Sequence, residues 1–290
     1  MKIFSYEYKG CLVHHSVDQH PNEKDFELHA HSYCEVFYFI SGAGYYTVEG
    51  RNYPLTRGCV LLMRDGEIHK IHLDPDRPYE RIAIHFRLDD VLGQRAVFAP
   101  LRSLILDRSP GCGNLFLANG KESAALLDAC FSRICRLTQS EEEFGMQLTA
   151  TLPVILSELY SIRKNTSDAE VLSRQEGNPI LTEVIDYINQ NLTAIDSLSE
   201  LQERFFFSKS TLNRMFLQST GSTVWEYVII KRLHAARRML IDGKSASAAA
   251  SACGFGDYSA FYRQYRRVFG ESPCRGRRSS KKRYSAGQSR

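Results

Sequence analysis

Residues 29–35 place two histidines and a carboxylate at spacings that suit one shared site. In the stretch HAHSYCE, His29 and His31 are two residues apart, and Glu35 follows four residues later. Even spacings on a β-strand put side chains on the same face, so all three groups share a face if the strand continues. His69, in the stretch RDGEIHK, supplies a third imidazole. Imidazole and carboxylate groups bind Zn, Fe, Mn or Ni, so the four residues form a candidate site for a divalent metal.

The same residues admit two other interpretations. They can hydrogen-bond a sugar or another small ligand, or they can be strand residues that merely orient the mouth of a barrel. Nearby tyrosines favour ligand binding, because an aromatic face suits the apolar face of a sugar ring. The candidate ligand-binding residues are therefore His29, His31, Glu35, His69, Tyr38 and Tyr46. No cofactor other than the possible divalent metal is predicted.

A second set of residues that can do chemistry lies in two predicted helices of the C-terminal part. In the later helix an apolar face recurs every four residues through Phe261, Tyr265 and Phe269, and other faces carry Tyr258, Ser259, Tyr262, Arg263, Arg266 and Arg267. In the earlier helix the polar positions are Lys209, Ser210, Asn213 and Arg214. Arg can bond a guanine edge and Asn an adenine edge in the major groove of DNA. Each helix follows a shorter one and a tight turn, which is the form of a helix-turn-helix recognition helix.

The distribution of charge along the chain favours the same partner. Residues 178–290 contain 18 Lys and Arg against 9 Asp and Glu, whereas residues 1–177 contain 19 against 24. A basic C-terminal part on an acidic N-terminal part indicates that only the C-terminal part meets a polyanion. The predicted partner is double-stranded DNA, read by two helices that a long helix over residues 223–241 holds in successive major grooves.

Several classes of protein are disfavoured. The 290-residue chain has no apolar run long enough for a membrane span and no secretory segment at its N-terminus, so a cytoplasmic protein without a membrane partner is expected. Its eight cysteines include no C-x-x-C pair, which disfavours a disulfide framework or a zinc knuckle. There is no Ser/His/Asp arrangement and no phosphate-binding glycine loop, so the protein is not predicted to be an enzyme.

The elements that must position these residues change type along the chain. Short aromatic and aliphatic runs between Gly turns predict strands over residues 35–40, 45–55, 59–63 and 81–86. Helical periodicity follows over 121–163 and again from residue 179 onward. The predicted class is α+β: a small antiparallel β-barrel or sandwich (1–100), a helical dimerisation or coupling segment (101–165), a linker (166–179), an all-α domain with two helix-turn-helix units (180–278) and a basic flexible tail (279–290).

Both halves of the chain resemble known proteins. The motifs SKSTLNRMF, RLHAARRML and FYRQYRRVFGESP, in this order, resemble the DNA-binding domain of AraC/XylS-type transcription regulators. This resemblance implies base-reading positions at Ser210, Asn213, Arg214, Tyr258, Ser259, Tyr262 and Arg263. The pattern around His29, His31, Glu35 and His69 resembles a cupin barrel, which many AraC-type regulators carry as a small-molecule sensor.

The resemblance implies a sequence-specific, DNA-binding transcription regulator, with activation the expected mode. It would respond to a sugar or related metabolite bound in the barrel. A homodimer is expected through the helices over 121–163, whose apolar stripes can equally cap the barrel, and RNA polymerase is a further candidate partner. The alternative is a metal-dependent cupin enzyme, or a metal sensor, joined to a DNA-binding domain.

Overall fold

The computed structural model of the protein describes residues 2–8, 10–22, 26, 28–93, 95–136 and 140–273. Two compact units divide the chain: the first comprises residues 1–29 and 33–178, and the second comprises residues 30–32 and 179 onward. The first combines strands with helices and the second is helical, so the predicted α+β class is confirmed. The predicted basic tail, residues 279–290, lies outside the described residues.

The first unit is built on two antiparallel sheets. Its strands are β1 (Lys2–Tyr8), β2 (Cys11–Asp18), β3 (Cys34–Ser41), β4 (Gly44–Val48), β5 (Arg51–Pro54), β6 (Val60–Met63), β7 (His69–Leu73), β8 (Tyr79–Phe86) and β9 (Leu115–Phe116). The larger sheet has the order β1-β2-β8-β3-β6-β9 and the smaller one has the order β5-β4-β7. The sequence predicted β3 to β6 and β8, but it missed the first hairpin, β7 and β9.

Alternation along the strands produces two apolar cores. On β3, Phe37 and Phe39 belong to the core between the two sheets, whereas Val36 belongs to the core under the helices. Neighbouring side chains on a strand point to opposite faces, so a strand with both faces covered is apolar throughout. The face of β3 that carries Phe37 and Phe39 is therefore the inner face of the barrel.

Helices cover the outer face of the larger sheet. They are α1 (Leu88–Leu92), a 3₁₀ turn (Ala96–Phe98), α2 (Ala99–Leu106), α3 (Gly120–Ile134) and α4 (Glu141–Lys164). Buried residues of α3 and α4, among them Phe131 and Leu152, pack with the outer-face residues of the strands. Pro153 lies inside α4. No helix of the described residues combines the length and the apolar character that crossing a membrane requires.

The predicted linker over 166–179 is more ordered than expected. It contains a short helix, α5 (Asp168–Ser173), which begins where the Ser167 side chain accepts a hydrogen bond from the Glu170 amide. Beyond it, Glu176 pairs with Asn52 of β5, with N–H to O distances of 2.6 and 2.8 Å. The segment is ordered because Ser167 caps a helical turn and the backbone beyond it adds to a sheet edge, and its role as a linker stays a prediction.

A buried ion pair fixes the loop that follows α2 against the barrel. Both carboxylate oxygens of Glu67, which is 1% exposed, accept hydrogen bonds from Arg108 at 2.8 Å. The Gly111 amide and the Asn114 side chain donate to the same carboxylate at 2.8 and 3.0 Å. Burial alone would raise the pKa of Glu67, but the charge and hydrogen bonds of Arg108 lower the pKa to about 2. The carboxylate is therefore ionised at neutral pH.

The second unit consists of helices joined by short turns. They are α6 (Pro179–Gln190), α7 (Leu198–Phe205), α8 (Lys209–Thr220), α9 (Val224–Ile241), α10 (Ala246–Ala252) and α11 (Tyr258–Phe269). Ser208 caps α8 through the Thr211 amide, and Asp257 caps α11 through the amides of Ser259 and Ala260. The pairs α7–α8 and α10–α11 are the two predicted helix-turn-helix units. The spacer helix α9, of 18 residues, joins them.

Candidate ligand site and nucleic-acid interface

The inner face of the barrel brings charged groups to an apolar interior. β3 and β8 pair so that Glu35 lies opposite His85 and Phe39 lies opposite Arg81. Alternation then places Glu35 on the inner face with Phe37 and Phe39, and it places Arg81 and His85 on the same face of β8. A carboxylate, a guanidinium and an imidazole thus share a surface that is otherwise aromatic.

Two imidazoles converge on the buried carboxylate of Glu35. The Nε2 atoms of His69 and His85 lie 3.5 and 3.3 Å from Glu35 Oε2. His69 Nδ1 lies 2.8 Å from the backbone oxygen of Glu67. A carbonyl can only accept, so His69 Nδ1 donates to the Glu67 oxygen, and Nε2 is the ring nitrogen that faces Glu35. A proton on Nε2 or a cation bound between the two atoms would complement the carboxylate.

The four predicted metal-ligating residues are brought together, with a fifth that the sequence analysis missed. Two groups have ligand atoms within 4.8 Å of one another: His29, His31 and His69 form one, and His31, Glu35 and His85 form the other. A tetrahedral zinc site with bonds of about 2.0–2.1 Å has edges of about 3.3 Å between ligand atoms. The measured separations of 3.3 and 3.5 Å are close to that edge, so the residues fit a divalent cation.

Aromatic and phenolic groups lie beside these charged groups. Tyr46 is 3% exposed and packs edge-on against Phe37, with ring centroids 4.9 Å apart, and its ring lies 5.8 Å from that of His69. Tyr79 is 2% exposed, and its hydroxyl has no hydrogen-bond partner among the described residues. The Arg81 guanidinium lies 5.9 Å from the centroid of the Phe37 ring. This interior can stack an apolar ring face and bond polar substituents at its edges.

The electrostatics favour charged Arg81 and neutral tyrosines. Burial raises the pKa of Tyr46, and Glu35 raises it further. Burial opposes the charge of Arg81, yet the pKa of its guanidinium is raised by Tyr79, Glu35 and Tyr46. The phenols are neutral at physiological pH, so Glu35 is the negative charge that acts on Arg81 there.

In the first helix-turn-helix unit, α8 presents most of its predicted polar face to solvent. Lys209, Ser210 and Arg214 are exposed, whereas Leu212 is buried on the opposite side. Asn213 is half-buried, and its side-chain oxygen accepts a hydrogen bond from the Val224 amide at 3.3 Å. Its role in reading an adenine edge stays a prediction, and bidentate reading would require this bond between α8 and the start of α9 to break.

In the second unit, α11 separates its two kinds of residue as the periodicity predicts. Phe261 and Tyr265 are buried with residues of α9 and α10. The opposite sides carry the exposed Tyr258, Ser259, Arg263, Arg266 and Arg267, and the half-buried Tyr262. The exposed side therefore combines aromatic, hydroxyl and guanidinium groups, which can contact bases and phosphates.

Comparisons with known proteins match both parts of the chain. Residues 16–156 match the model of the AraC-like ligand binding domain, and residues 201–279 match that of a helix-turn-helix domain. The transcriptional activator RhaS of Yersinia pestis bv. Antiqua (strain Angola) is 25% identical over 259 residues, 89% of this chain and 91% of RhaS. The chain belongs to the AraC/XylS family of transcription regulators.

Two solved structures show the extent of similarity to this AraC/XylS-family chain. ToxT from Vibrio cholerae O395 is 13% identical, with 92% of this chain and 97% of that chain covered and a TM-score of 0.36. A probable AraC family regulator from Rhodopseudomonas palustris CGA009 is 26% identical, with 36% of this chain and 98% of that chain covered and a TM-score of 0.33.

One predicted ligand-binding residue of this AraC/XylS-family barrel lies on the wrong side of its strand. Tyr38 belongs to the outer core, where its ring stacks on Phe131 with centroids 4.2 Å apart and its hydroxyl donates to Asp128 of α3. The prediction was wrong because Tyr38 is an odd number of residues from Glu35, so alternation sends it to the opposite face. Tyr46, by contrast, does lie on the inner face.

The sequence analysis also missed Tyr79, Arg81 and His85. All three lie on β8 in the stretch YERIAIHF, at even spacings of two and four residues. The alternation is visible in the sequence, because Ile82, Ile84 and Phe86 fall on one face of a strand and Tyr79, Arg81 and His85 fall on the other. These residues were not predicted as site residues because the sequence around β8 does not show that this strand pairs with β3, about fifty residues earlier.

Proposed function

We propose that this regulator activates transcription in response to a small polar molecule, of the sugar class, held on the inner face of the barrel. The observation that carries the proposal is the buried cluster around Glu35, in a chain that also has two helix-turn-helix units with exposed basic faces. An effector that binds one arrangement of the protein better than another shifts the population between them. The effector would thereby change how α8 and α11 meet DNA.

Ring stacking and hydroxyl binding support an effector of the sugar class. Phe37 and Tyr46 offer aromatic surface, and the Tyr79 hydroxyl, His69 and His85 offer polar atoms at its edge. Sites of this composition bind small ligands by burying an apolar face while a few placed polar groups fix its orientation.

Operator binding is the first test. DNA upstream of the protein's own gene, and sequences selected in vitro from random DNA, would be titrated by fluorescence anisotropy with wild type, Arg263→Ala and Arg57→Ala. Arg263 lies on the exposed side of α11, and Arg57 is an exposed arginine of the barrel that matches it in charge. A lost base contact of about 1–3 kcal/mol lowers specific affinity about fivefold to 150-fold.

The two variants separate specific recognition from general charge. Arg263→Ala should weaken selected DNA far more than random DNA, whereas Arg57→Ala should leave both affinities near those of the wild type. Equal losses on both DNAs would limit Arg263 to phosphate contact. No specific binding by the wild type at low salt would refute the proposal.

Activation and dimerisation are further parts of the proposal. RhaS is named a transcriptional activator, which supports activation and contact with RNA polymerase here. Exposed apolar residues on α4, Met146, Val154 and Tyr160, support a homodimer through this helix. In vitro transcription from a bound promoter and light scattering of Met146→Glu against the wild type test these points. Repression only, or a wild type that is monomeric at micromolar concentration, would refute the corresponding part.

A metal-dependent sensor or enzyme is the second candidate, and the separations around Glu35 favour it. His31, Glu35, His69 and His85 would hold a divalent cation, which would act as a Lewis acid toward a bound ligand. Elemental analysis of untagged protein prepared without chelator, for wild type and His85→Ala, tests the site. One equivalent of metal lost in His85→Ala supports this candidate, and metal-free wild type that still responds to an effector rejects it.

A further inference from the structure

We infer that the effector carries a carboxylate, and that Arg81 on the inner face of β8 binds it. This inference rests on the proposed function, since it names the chemical class of the molecule held in the barrel. The class is a small hydroxylated carboxylic acid such as a sugar acid, with its carboxylate at Arg81 and its hydroxyl groups toward the imidazoles at Glu35.

Arg81 differs from the other enclosed arginines of this protein. Arg108 forms an ion pair and hydrogen bonds with Glu67, and Arg51 donates to the Pro110 backbone oxygen at 2.9 Å. Arg232 donates to the backbone oxygens of Leu192 and Gly254, both at 2.8 Å. Within the part of the chain that the structure describes, no hydrogen bond or ion pair engages the Arg81 guanidinium, whose described partner is the Phe37 ring. A guanidinium has five N–H donors and binds carboxylates through two of them at once.

A second polar group beside Arg81 also points to a ligand. The Tyr79 hydroxyl is buried and has no hydrogen-bond partner among the described residues. Tyr79 and Arg81 are two residues apart on β8, so they lie on the same inner face. Buried polar groups are nearly always hydrogen-bonded, and an oxygen of a bound acid would serve both the phenol and the guanidinium.

The charge near Arg81 fits one carboxylate better than a neutral sugar or a phosphate. Glu35 lies more than an ion-pair distance from Arg81 and is in contact with the Nε2 atoms of His69 and His85. A neutral sugar would leave the guanidinium with only the more distant Glu35 carboxylate as its counter-charge, an incomplete compensation in an apolar interior. A phosphate dianion would exceed the single positive charge that Arg81 supplies, with Glu35 repelling it.

The opposite end of the site suits hydroxyl groups. Arg81 and His85 are four residues apart on β8, about 13 Å between Cα atoms. Imidazole nitrogens and the Glu35 carboxylate at that end accept or donate to hydroxyls, and the aromatic rings between the two ends suit a ring or a short polyol chain. The site therefore offers a positive charge at the Arg81 end and hydrogen-bonding groups at the Glu35 end. A hydroxylated acid complements both ends.

Matched ligand pairs test the class directly. The full-length protein would be titrated calorimetrically, without DNA, with D-galacturonate and D-galactose, D-glucuronate and D-glucose, and D-gluconate and sorbitol, at constant ionic strength. Glucose 6-phosphate and galactose 6-phosphate form a separate arm. Charged hydrogen bonds of about 1.5–3 kcal/mol predict that at least one carboxylate binds about tenfold to 150-fold more tightly than its neutral partner.

Three variants assign that preference to a residue. Arg81→Gln keeps hydrogen-bond donors but removes the positive charge. Arg81→Lys keeps the charge but cannot bind a carboxylate in the bidentate geometry of arginine. Arg77→Gln is the control, since it changes an arginine that is 68% exposed. The carboxylate preference should vanish in Arg81→Gln, fall partly in Arg81→Lys and persist in Arg77→Gln, with circular dichroism unchanged in all three.

Every other result overturns the inference. It fails if neutral sugars or sugar phosphates bind at least as well as the acids, if no acid binds at millimolar concentration, or if the preference survives in Arg81→Gln. Operator binding, measured separately without ligand, reports on the proposed function. DNA affinity that a bound acid leaves unchanged contradicts the effector role, whereas intact effector response to a neutral sugar contradicts only the carboxylate class.

Discussion

Arg232 and Gly254 contact each other so closely that the glycine has no room for a side chain. Arg232 Nη1 donates to the Gly254 backbone oxygen at 2.8 Å, and a Cβ on Gly254 would lie 2.8 Å from Arg232 Cζ and 2.9 Å from the Thr193 oxygen. Arg232 lies on α9, Thr193 follows α6, and Gly254 ends the turn after α10. One buried side chain of the spacer helix therefore ties the segment before the first helix-turn-helix unit to the turn inside the second.

Substitution of Gly254 by alanine should destabilise this junction. Gly254 has a φ of +78°, where a Cβ costs about 1–2 kcal/mol, and the displaced guanidinium would add to that loss. We expect Gly254→Ala to lower the free energy of unfolding, measured in urea with the full chain, and to weaken operator binding. Gly256→Ala is the matched control, since a Cβ there meets no atom within 4 Å. Equal stability of the two variants would contradict the contact.

At Phe206 we expect a substitution to stabilise the protein, because this residue adopts a backbone conformation that favours glycine. It ends α7 with φ 56° and ψ 34°, and 93% of it is exposed. A left-handed conformation costs a residue with a Cβ about 1–2 kcal/mol, whereas glycine loses roughly 0.5–1 kcal/mol through the entropy of the unfolded chain. We expect Phe206→Gly to raise the free energy of unfolding by up to about 1 kcal/mol.

A Phe206→Ala variant separates the effect of backbone strain from the effect of losing the contacts of the ring. Phe206→Ala removes the ring but keeps the Cβ, so its stability should stay near that of the wild type. A Phe206→Gly variant less stable than Phe206→Ala would show that backbone strain at this turn is negligible.

The ion pair of Glu67 and Arg108 predicts a pH dependence of stability. The pKa of Glu67 is lowered to about 2 in the folded state from 4.5, so its contribution is fully present above pH 4.5 and is lost as pH falls toward 2. A shift of this size corresponds to roughly 3 kcal/mol. Glu67→Gln should destabilise the protein by about 3–5 kcal/mol at pH 7, because it leaves Arg108 buried without its counter-charge.

The pH dependence of the difference in the free energy of unfolding between wild type and Glu67→Gln is the sharper measurement. Urea unfolding of both proteins from pH 7 down to pH 3 should show this difference become smaller below pH 4.5, since a protonated Glu67 resembles glutamine. Glu122→Gln changes an exposed acid of α3 and should show a small, nearly constant difference. A Glu67→Gln gap that stays constant with pH would contradict the ionised pair.

The sequence predicted features that depend on residues close together in the chain, such as helix caps, and it did not predict those that depend on strand pairing. Ser208 and Asp257 cap α8 and α11 because a side-chain oxygen reaches amides two or three residues ahead, which sequence alone reveals. Arg81 and His85 became site residues only through the pairing of β8 with β3, and the sequence does not state that pairing. The hydrogen bond of Asn213 was not predicted for the same reason, since its partner Val224 lies eleven residues away on another helix.

Tyr53 holds the segment around Gln175, which precedes the helix-turn-helix units, and a substitution of Tyr53 should loosen this segment. Its hydroxyl lies 3.0 Å from Gln175 Oε1 and also bonds the Gly111 backbone oxygen, next to the pairing of Asn52 with Glu176. Tyr53→Phe keeps the buried ring and removes the hydroxyl, whose single hydrogen donates to one of these two oxygens in a bond worth about 0.5–1.5 kcal/mol. We expect limited trypsin digestion to cut after Arg174 about threefold to tenfold faster in Tyr53→Phe, followed by mass spectrometry. Tyr160→Phe, on the partly exposed side of α4, should be cut at the wild-type rate. If Tyr53→Phe is also cut at that rate, backbone pairing alone holds the segment, and this hydroxyl has no part in the proposed effector response.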